Sequence, residues 1–254
     1  MLTATQYNPE KSGPWLIWLH GLLGSADDWL PVIRQFNDYR SLAINLPGHG
    51  ASQKETCQGF EHFDEQLNAL LQYHHVDEYY LIGYSLGARL AMHFACFYQP
   101  KGLLGLVIEG GNVGLDDMQA RRDREKNDKA WAQRFRTESI KKVLNDWYQQ
   151  AVFADLSPEQ RNKLIELRQE NNPQGIADML ESTSLSQQPF LVPNLHQLSC
   201  PYHYFCGERD QKFRSVSQQY TLPLTLIENA GHNAHRENPV GYATALHHFL
   251  SHCG

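Results

Sequence analysis

The stretch Tyr79-Tyr80-Leu81-Ile82-Gly83-Tyr84-Ser85-Leu86-Gly87-Ala88-Arg89 constrains this chain more than any other part of it. Its first half, YYLIG, is a short aromatic and β-branched run of the kind that forms a strand buried on both faces. Its second half opens LGARLAMHFACFY, whose apolar residues recur at helical spacing. No loop separates the two, so the chain must turn from strand into helix at Ser85. A turn that sharp strains the backbone of the central residue and brings strand and helix close together, which demands small residues on both sides; the G-x-S-x-G spacing supplies them. It also lifts the Ser85 hydroxyl above the sheet and aims a helix N-terminus at it. The plain alternative, a chance pentapeptide, loses force because the flanks are the right ones.

The rest of the chain supplies the sheet that such a turn needs. Trp15–Leu19, Leu42–Leu46, Leu103–Glu109, Tyr202–Cys206 and Leu224–Glu228 read as further buried strands beside Tyr79–Gly83. Between them His62–His74 and Leu86–Tyr98 read as helices. Strands that are continuously apolar, each followed by a helix, indicate a mostly parallel sheet covered on both faces. From about residue 114 to 188 no strand pattern occurs; the segment is charged, helix-prone and dotted with Trp131, Phe135, Trp147, Tyr148 and Phe153. Ser157-Pro158-Glu159 and Asn172-Pro173 mark helix starts inside it. The expected organisation is a core of residues 1–113, a helical lid of residues 114–188 and the remainder of the core at 189–254. A lid in that place caps the strand ends, where open α/β sheets hold their ligands; the bland reading is a peripheral helical subdomain.

Composition removes several function classes. A net charge of -6 argues against nucleic-acid binding, which leaves a basic footprint. No apolar run approaches the roughly 18–20 residues of a membrane-spanning helix. The opening MLTATQYNPEKSG lacks the basic region and apolar core of a secretory signal. Five cysteines, Cys57, Cys96, Cys200, Cys206 and Cys253, form no C-x-x-C pair. Disulfides and zinc are therefore not expected, and reduced, buried thiols in a cytoplasmic protein fit best.

A serine hydroxyl is a weak group and needs a base, which needs a carboxylate to hold its tautomer. Gly207-Glu208-Arg209-Asp210 follows one strand and Ala230-Gly231-His232-Asn233 follows the next. The chain order Ser85, Asp210, His232 suits the strand-turn-helix serine; Glu208 is the rival acid. Thirteen histidines dilute any one of them, and His232 stands out only by its position after the last strand. Leu19-His20-Gly21-Leu22-Leu23-Gly24 follows the first strong strand, and such a loop can offer a backbone N–H to an oxyanion beside that of the residue after the serine. The donors expected are Leu22 and Leu86. Arg89 lies one helical turn after Ser85, with Arg124 and Arg168 in the insertion. Guanidinium groups grip carboxylates two-pronged, so if they face the site the substrate is acidic. Taken singly, Arg124 and Arg168 are more often surface ion pairs, and Arg89 less often so.

The residues alone stop at a serine enzyme with an acidic substrate. The runs LPGHG (46–50), GYSLGAR (83–89), VIEGGNVGL (107–115), DWYQQAVF (146–153), CGERDQKFR (206–214) and AGHNAHRENP (230–239) add more. Together they resemble the 2-succinyl-6-hydroxy-2,4-cyclohexadiene-1-carboxylate synthases of menaquinone biosynthesis, members of the α/β-hydrolase fold, over nearly the whole chain. The resemblance implies a lyase that eliminates pyruvate from 2-succinyl-5-enolpyruvyl-6-hydroxy-3-cyclohexene-1-carboxylate without a cofactor. It implies Ser85 as the base, helped by His232 and Asp210, and a polycarboxylate bound by Arg89, Arg124 and Arg168. Tyr84, Trp147 and Tyr148 match positions that line the family's site. The partner expected is this small molecule alone, with no nucleic acid and no membrane, and a monomer or weak homo-oligomer. The competing reading keeps the fold and makes Ser85 the nucleophile of an ester, thioester or carbon–carbon bond hydrolase. Two departures stand out: Asn45 replaces the usual Asp before LPGHG, which puts the order of that loop in doubt, and Ala88 replaces a glycine before Arg89.

Overall fold

The structure is a computed structural model and describes residues 1–252; Cys253 lies outside the described residues. Seven strands form one sheet in the order β1-β3-β2-β4-β5-β6-β7. They are β1 (Ala4–Tyr7), β2 (Trp15–Leu19), β3 (Arg40–Ile44), β4 (Tyr79–Tyr84), β5 (Leu103–Glu109), β6 (Tyr202–Gly207) and β7 (Leu224–Ile227). All neighbours are parallel except β1, which runs antiparallel to β3. The six apolar runs expected as strands are all there. The added strand, β1, is a half-exposed edge of sequence ATQY with no apolar run to betray it.

Each central strand splits its side chains between two cores, as a pleat of period two requires. Leu16 and Trp18 of β2, Tyr80 and Ile82 of β4, Val107 of β5 and Phe205 of β6 pack with Trp29, Phe36, Tyr242 and Leu246 on one face. Ile17 and Leu19, Leu81, Ile108, and Tyr204 and Cys206 point the other way, against the helices Phe60–Tyr73 and Leu86–His93 and Phe213 of the helix Gln211–Gln219. The helix expected to reach Tyr98 is α-helical only to His93. It widens into a π turn over Phe94–Tyr98 and stops at Gln99, whose φ is 52°. Cys57, Cys96 and Cys206 are buried thiols. Among the described residues no helix is long and apolar enough to cross a membrane.

Strand order fixes where a ligand can sit. From β2 the chain moves to one side to make β3, then returns to the other side of β2 to make β4. The crevice at such a switch point opens outside the carboxyl ends of the two strands. Leu19 pairs with Gly83, so the His20–Gly24 loop and the Ser85 turn emerge there side by side. A third apolar cluster lies above this end. Ala132 and Phe135, Val143 and Leu144, Leu164 and Ile165, and Ile176, Ala177 and Leu180 join the four inserted helices to one another, and they close on Leu22 and Leu23. Those helices are Met118–Thr137, Ile140–Trp147, Pro158–Arg168 and Pro173–Ser182. The two proline-led starts are capped as expected: Ser157 accepts from the Gln160 N–H and Asn172 from the Gln174 N–H.

Candidate active site

Ser85 has φ 50° and ψ -106°, a conformation that L-residues rarely hold. Its surroundings over-determine it. The Ser85 N–H donates to the Glu109 carbonyl at 2.8 Å, and the Ser85 carbonyl accepts from Arg89 N–H, which starts the helix. A methyl group on Gly83 would meet the Gly87 carbonyl oxygen at 2.5 Å, and one on Gly87 would meet the Leu19 oxygen at 2.4 Å. These contacts are backbone and cannot yield, so both glycines are needed for the strand and helix to touch. The first backbone N–H groups of the helix, beginning at Leu86, lack intrahelical acceptors.

The facing loop is held by two neutral histidines. His49 Nε2 accepts the Leu23 N–H at 3.0 Å while its Nδ1 donates to the Pro47 carbonyl at 2.8 Å. His20 does the same one step away, with Nε2 accepting from the Leu46 N–H and Nδ1 donating to the Gly21 carbonyl. Since each ring must accept at one nitrogen and donate at the other, both are neutral. Burial drives His20 down to about 4 and His49 to about 3. Leu23 sits at φ 68° and carries the turn. Sequence reasoning missed His49; its place in LPGHG beside a glycine-rich loop was the signal. Asn45 answers the doubt about that loop: its Oδ1 accepts the Ala26 N–H at 3.0 Å and its Nδ2 donates to Thr3 Oγ1. The amide serves an acceptor and a donor role where a carboxylate serves only one.

Asp210, not Glu208, faces His232: Asp210 Oδ2 and His232 Nδ1 are 2.7 Å apart, and Asp210 Oδ1 accepts the Phe213 N–H as it caps the helix Gln211–Gln219. Glu208 accepts from the Asn229 backbone N–H. Phe213 stacks on the His232 ring, centroids 4.9 Å apart. On another side Gly110 is so close that an added Cβ would lie 2.9 Å from His232 Cε1. Glu109 links the two halves of the site. Its carbonyl holds Ser85, and its Oε1 accepts from both the backbone N–H and Nδ1 of His235 at 3.1 and 2.9 Å. Tyr84 donates through its hydroxyl to Asn233 Oδ1 and packs its ring beside His232 and His235.

Ser85, His232, Leu22 and Leu86 line a single cavity of about 140 Å³, together with Arg89, Arg124, Trp147, Phe153 and Lys212. Of the expected substrate ligands, Arg89, Arg124 and Trp147 are on its wall. Arg89 is buried; its Nε donates to Gln188 Oε1 and its terminal nitrogen to the Thr183 carbonyl, both at 2.6 Å. Among the described residues no carboxylate pairs with it, and burial followed by the nearby Arg124 charge pushes it down to about 9. Arg124 places Nε on both oxygens of the buried Asp128, at 2.7 and 2.8 Å. Arg168, Tyr148 and Tyr84 do not line the cavity. The Arg168 guanidinium is turned to Asp28, 2.6 Å away, which also pairs with Arg236. Tyr148 is buried against Arg168, and Tyr84 is taken by Asn233. The expectation of three arginines on one cavity thus holds for two; the third is drawn aside because a buried carboxylate needs a compensating charge. Lys212 was not expected there and has only its proximity in CGERDQKFR to Asp210 as a signal.

A serine on a strained strand-to-helix turn, a histidine–carboxylate pair and a glycine-rich loop at the switch point of a parallel sheet are the arrangement of an α/β-hydrolase fold, and comparison bears out that class. Residues 14–239 match the family described as the alpha/beta hydrolase fold. A Yersinia pseudotuberculosis serotype O:1b protein named 2-succinyl-6-hydroxy-2,4-cyclohexadiene-1-carboxylate synthase is 53% identical over 242 residues, covering 95% of this chain and 89% of the relative. A Yersinia pestis protein (strain Pestoides F) of the same name is 52% identical over the same shares. Among solved structures, that titled "Structure of MenH from S. aureus" superposes with a TM-score of 0.90 at 26% identity, covering 98% of each chain. A thermophilic esterase from Thermogutta terrifontis shares the fold, with a TM-score of 0.81 at 22% identity over 99% of this chain and 93% of the esterase. This chain belongs to the 2-succinyl-6-hydroxy-2,4-cyclohexadiene-1-carboxylate synthase family.

Proposed function

We infer that the protein is a carbon–oxygen lyase of menaquinone biosynthesis, which converts 2-succinyl-5-enolpyruvyl-6-hydroxy-3-cyclohexene-1-carboxylate into pyruvate and 2-succinyl-6-hydroxy-2,4-cyclohexadiene-1-carboxylate. Identity at this level over nearly the full chain carries the reading, and the cavity suits it. Ser85 Oγ removes the proton from the ring carbon next to the succinyl ketone as its own proton passes to His232. Asp210 holds the His232 Nδ1 proton and stabilises the imidazolium that forms. Negative charge collects on the ketone oxygen, where the N–H groups of Leu22 and Leu86 receive it. When the ketone re-forms, the electron pair makes a double bond to the adjacent ring carbon, the existing ring double bond shifts one position toward the enolpyruvyl group, and the carbon–oxygen bond to that group breaks. The enolpyruvate that leaves takes the abstracted proton from Ser85 and becomes pyruvate, and the proton on His232 returns to the serine. One oxyanion donor is typically worth about 10²–10³ in rate and a positioned base about 10²–10⁴.

Arg89 and Arg124 would meet carboxylates of the substrate, and Trp147 would wall the ring. Arg168 and Tyr148 would act from behind, by anchoring the inserted helices to Asp28 beside the oxyanion loop. The four inserted helices serve as the lid. The cavity they cover, about 140 Å³, is smaller than the roughly 300–1,000 Å³ of small-molecule sites. The reading includes a cytoplasmic location and a monomeric or weakly self-associating protein. Incubating the protein with the enolpyruvyl substrate tests it: pyruvate and the conjugated diene should appear one for one. Diene without pyruvate, or neither product from folded protein, would refute the assignment.

A further inference from the structure

The cations on the cavity wall differ in what holds them. Arg124 is neutralised by Asp128, which also accepts from Ser184 Oγ. Arg89 is set among neutral acceptors. Lys212 has neither arrangement: among the described residues it has no carboxylate partner and no hydrogen bond, although it lines the same cavity as Ser85 and His232. Its Nζ lies 5.0 Å from the centre of the Phe213 ring, and that ring stacks on His232 at 4.9 Å. The ammonium is therefore no further from the catalytic imidazole than those two spacings together.

The nearest acid does not explain its position. Asp210 is engaged by His232 Nδ1 and by the Phe213 N–H, and Arg124 faces Lys212 as a like charge. Lys212 is exposed, its ammonium reaching solvent at the cavity wall, and crowding by protein and then by Arg124 lowers its pKa, against the opposing pull of Asp210. An ammonium that faces the cavity beside another cation, with no carboxylate in contact, is free to take a bound anion. Counting Arg89, Arg124 and Lys212 against Asp128, the wall is positive, while the substrate brings ring, succinyl and enolpyruvyl carboxylates.

We propose that Lys212 is a substrate-binding residue of this site, its ammonium taking one carboxylate of the polycarboxylate at the Phe213 end of the cavity. The proposal rests on the lyase reading for the identity of the substrate, and on geometry for the site. Lysine suits the role as a compact point charge on a flexible stem. Its grip is screened by salt.

Steady-state rates of Lys212→Met and Lys212→Arg beside wild type, at low and high ionic strength, decide it. The methionine variant should raise KM about tenfold, the scale of one charge-assisted hydrogen bond, with kcat within a factor of three or so of wild type. Arginine should restore most of the loss, and the salt dependence of kcat/KM should be shallower in the methionine variant. Unchanged KM, or a fall confined to kcat, would overturn the assignment. Equilibrium titration with succinate as a dicarboxylate probe separates this from the fate of the lyase reading. If wild type releases no pyruvate, that reading fails on its own. Weaker succinate binding by Lys212→Met then upholds the lysine site, and equal binding by both proteins overturns it.

Discussion

Replacing Arg89 with methionine should damage activity while leaving stability nearly unchanged, because Arg89 is a buried charge held without an ionic partner. Burial, with Arg124 nearby, lowers its pKa from 12.5 to about 9. At about 1.4 kcal/mol per unit, that drop means the charged form costs the fold on the order of 4–5 kcal/mol. Methionine removes this cost and fills a similar apolar volume. Against it, Gln188 Oε1 and the Thr183 carbonyl lose their donors, at about 1–3 kcal/mol each. The two sides nearly cancel, so urea unfolding at neutral pH should place the variant within about 2 kcal/mol of wild type. It should not show the roughly 3–5 kcal/mol loss of breaking a buried ion pair. With Arg89 holding a substrate carboxylate, as proposed, the same substitution removes a charge-assisted contact worth about 1.5–3 kcal/mol, which is about a 10- to 150-fold fall in kcat/KM. A variant that loses more than about 3 kcal/mol while keeping wild-type KM would refute the reasoning and make Arg89 a structural residue.

The Asp28 cluster and the two loop histidines make further predictions. Burial raises the Asp28 carboxyl, but Arg168 and Arg236 outweigh it and bring it to about 2. Asp28→Asn should therefore cost about 3–5 kcal/mol in urea unfolding, since it leaves Arg168 buried and uncompensated, and should lower kcat/KM by loosening the helix Pro158–Arg168. Its folded pKa lies below its unfolded value of 3.8, so the stability it provides is full above about pH 4, fades toward pH 2, and is missing from the variant's acid limb. His20 and His49 act earlier. Their folded values of about 4 and 3 lie below 6.5, so the unfolded chain takes up protons first as pH falls. Stability should be complete above about pH 6.5 and should drop by about 2 kcal/mol per histidine by pH 5, as read by unfolding curves across that range. A flat profile between pH 7 and 5 would contradict neutral, accepting histidines under the oxyanion loop.

The parts of this molecule that were legible in the sequence share a local cause. The strands Trp15–Leu19, Tyr79–Tyr84 and Leu103–Glu109 are continuously apolar because both their faces are covered, and the Ser85 turn is marked by the two glycines that its close contacts require. Asp210 and His232 each follow a strand directly, so their convergence could be read from order alone. What escaped depends on contacts between distant segments. Strand β1 is defined only by pairing with β3, and nothing in ATQY indicates it. Arg168 was expected on the substrate because the pattern cannot show that Asp28, 140 positions away, claims its guanidinium. His49 reads as part of a glycine turn until Leu23 N–H is seen on its Nε2. Lys212 resembles any solvated lysine in a charged run until the cavity is traced.

The central claim is that Ser85, with His232 and Asp210 behind it, performs the elimination. Pyruvate release measured for wild type and for Ser85→Ala on the enolpyruvyl substrate tests it most directly, with circular dichroism confirming that both are folded. Loss of the positioned base predicts a fall in kcat of about 10²–10⁴. Release by the alanine variant within a few-fold of wild type would contradict the account and place the base on another residue of the cavity.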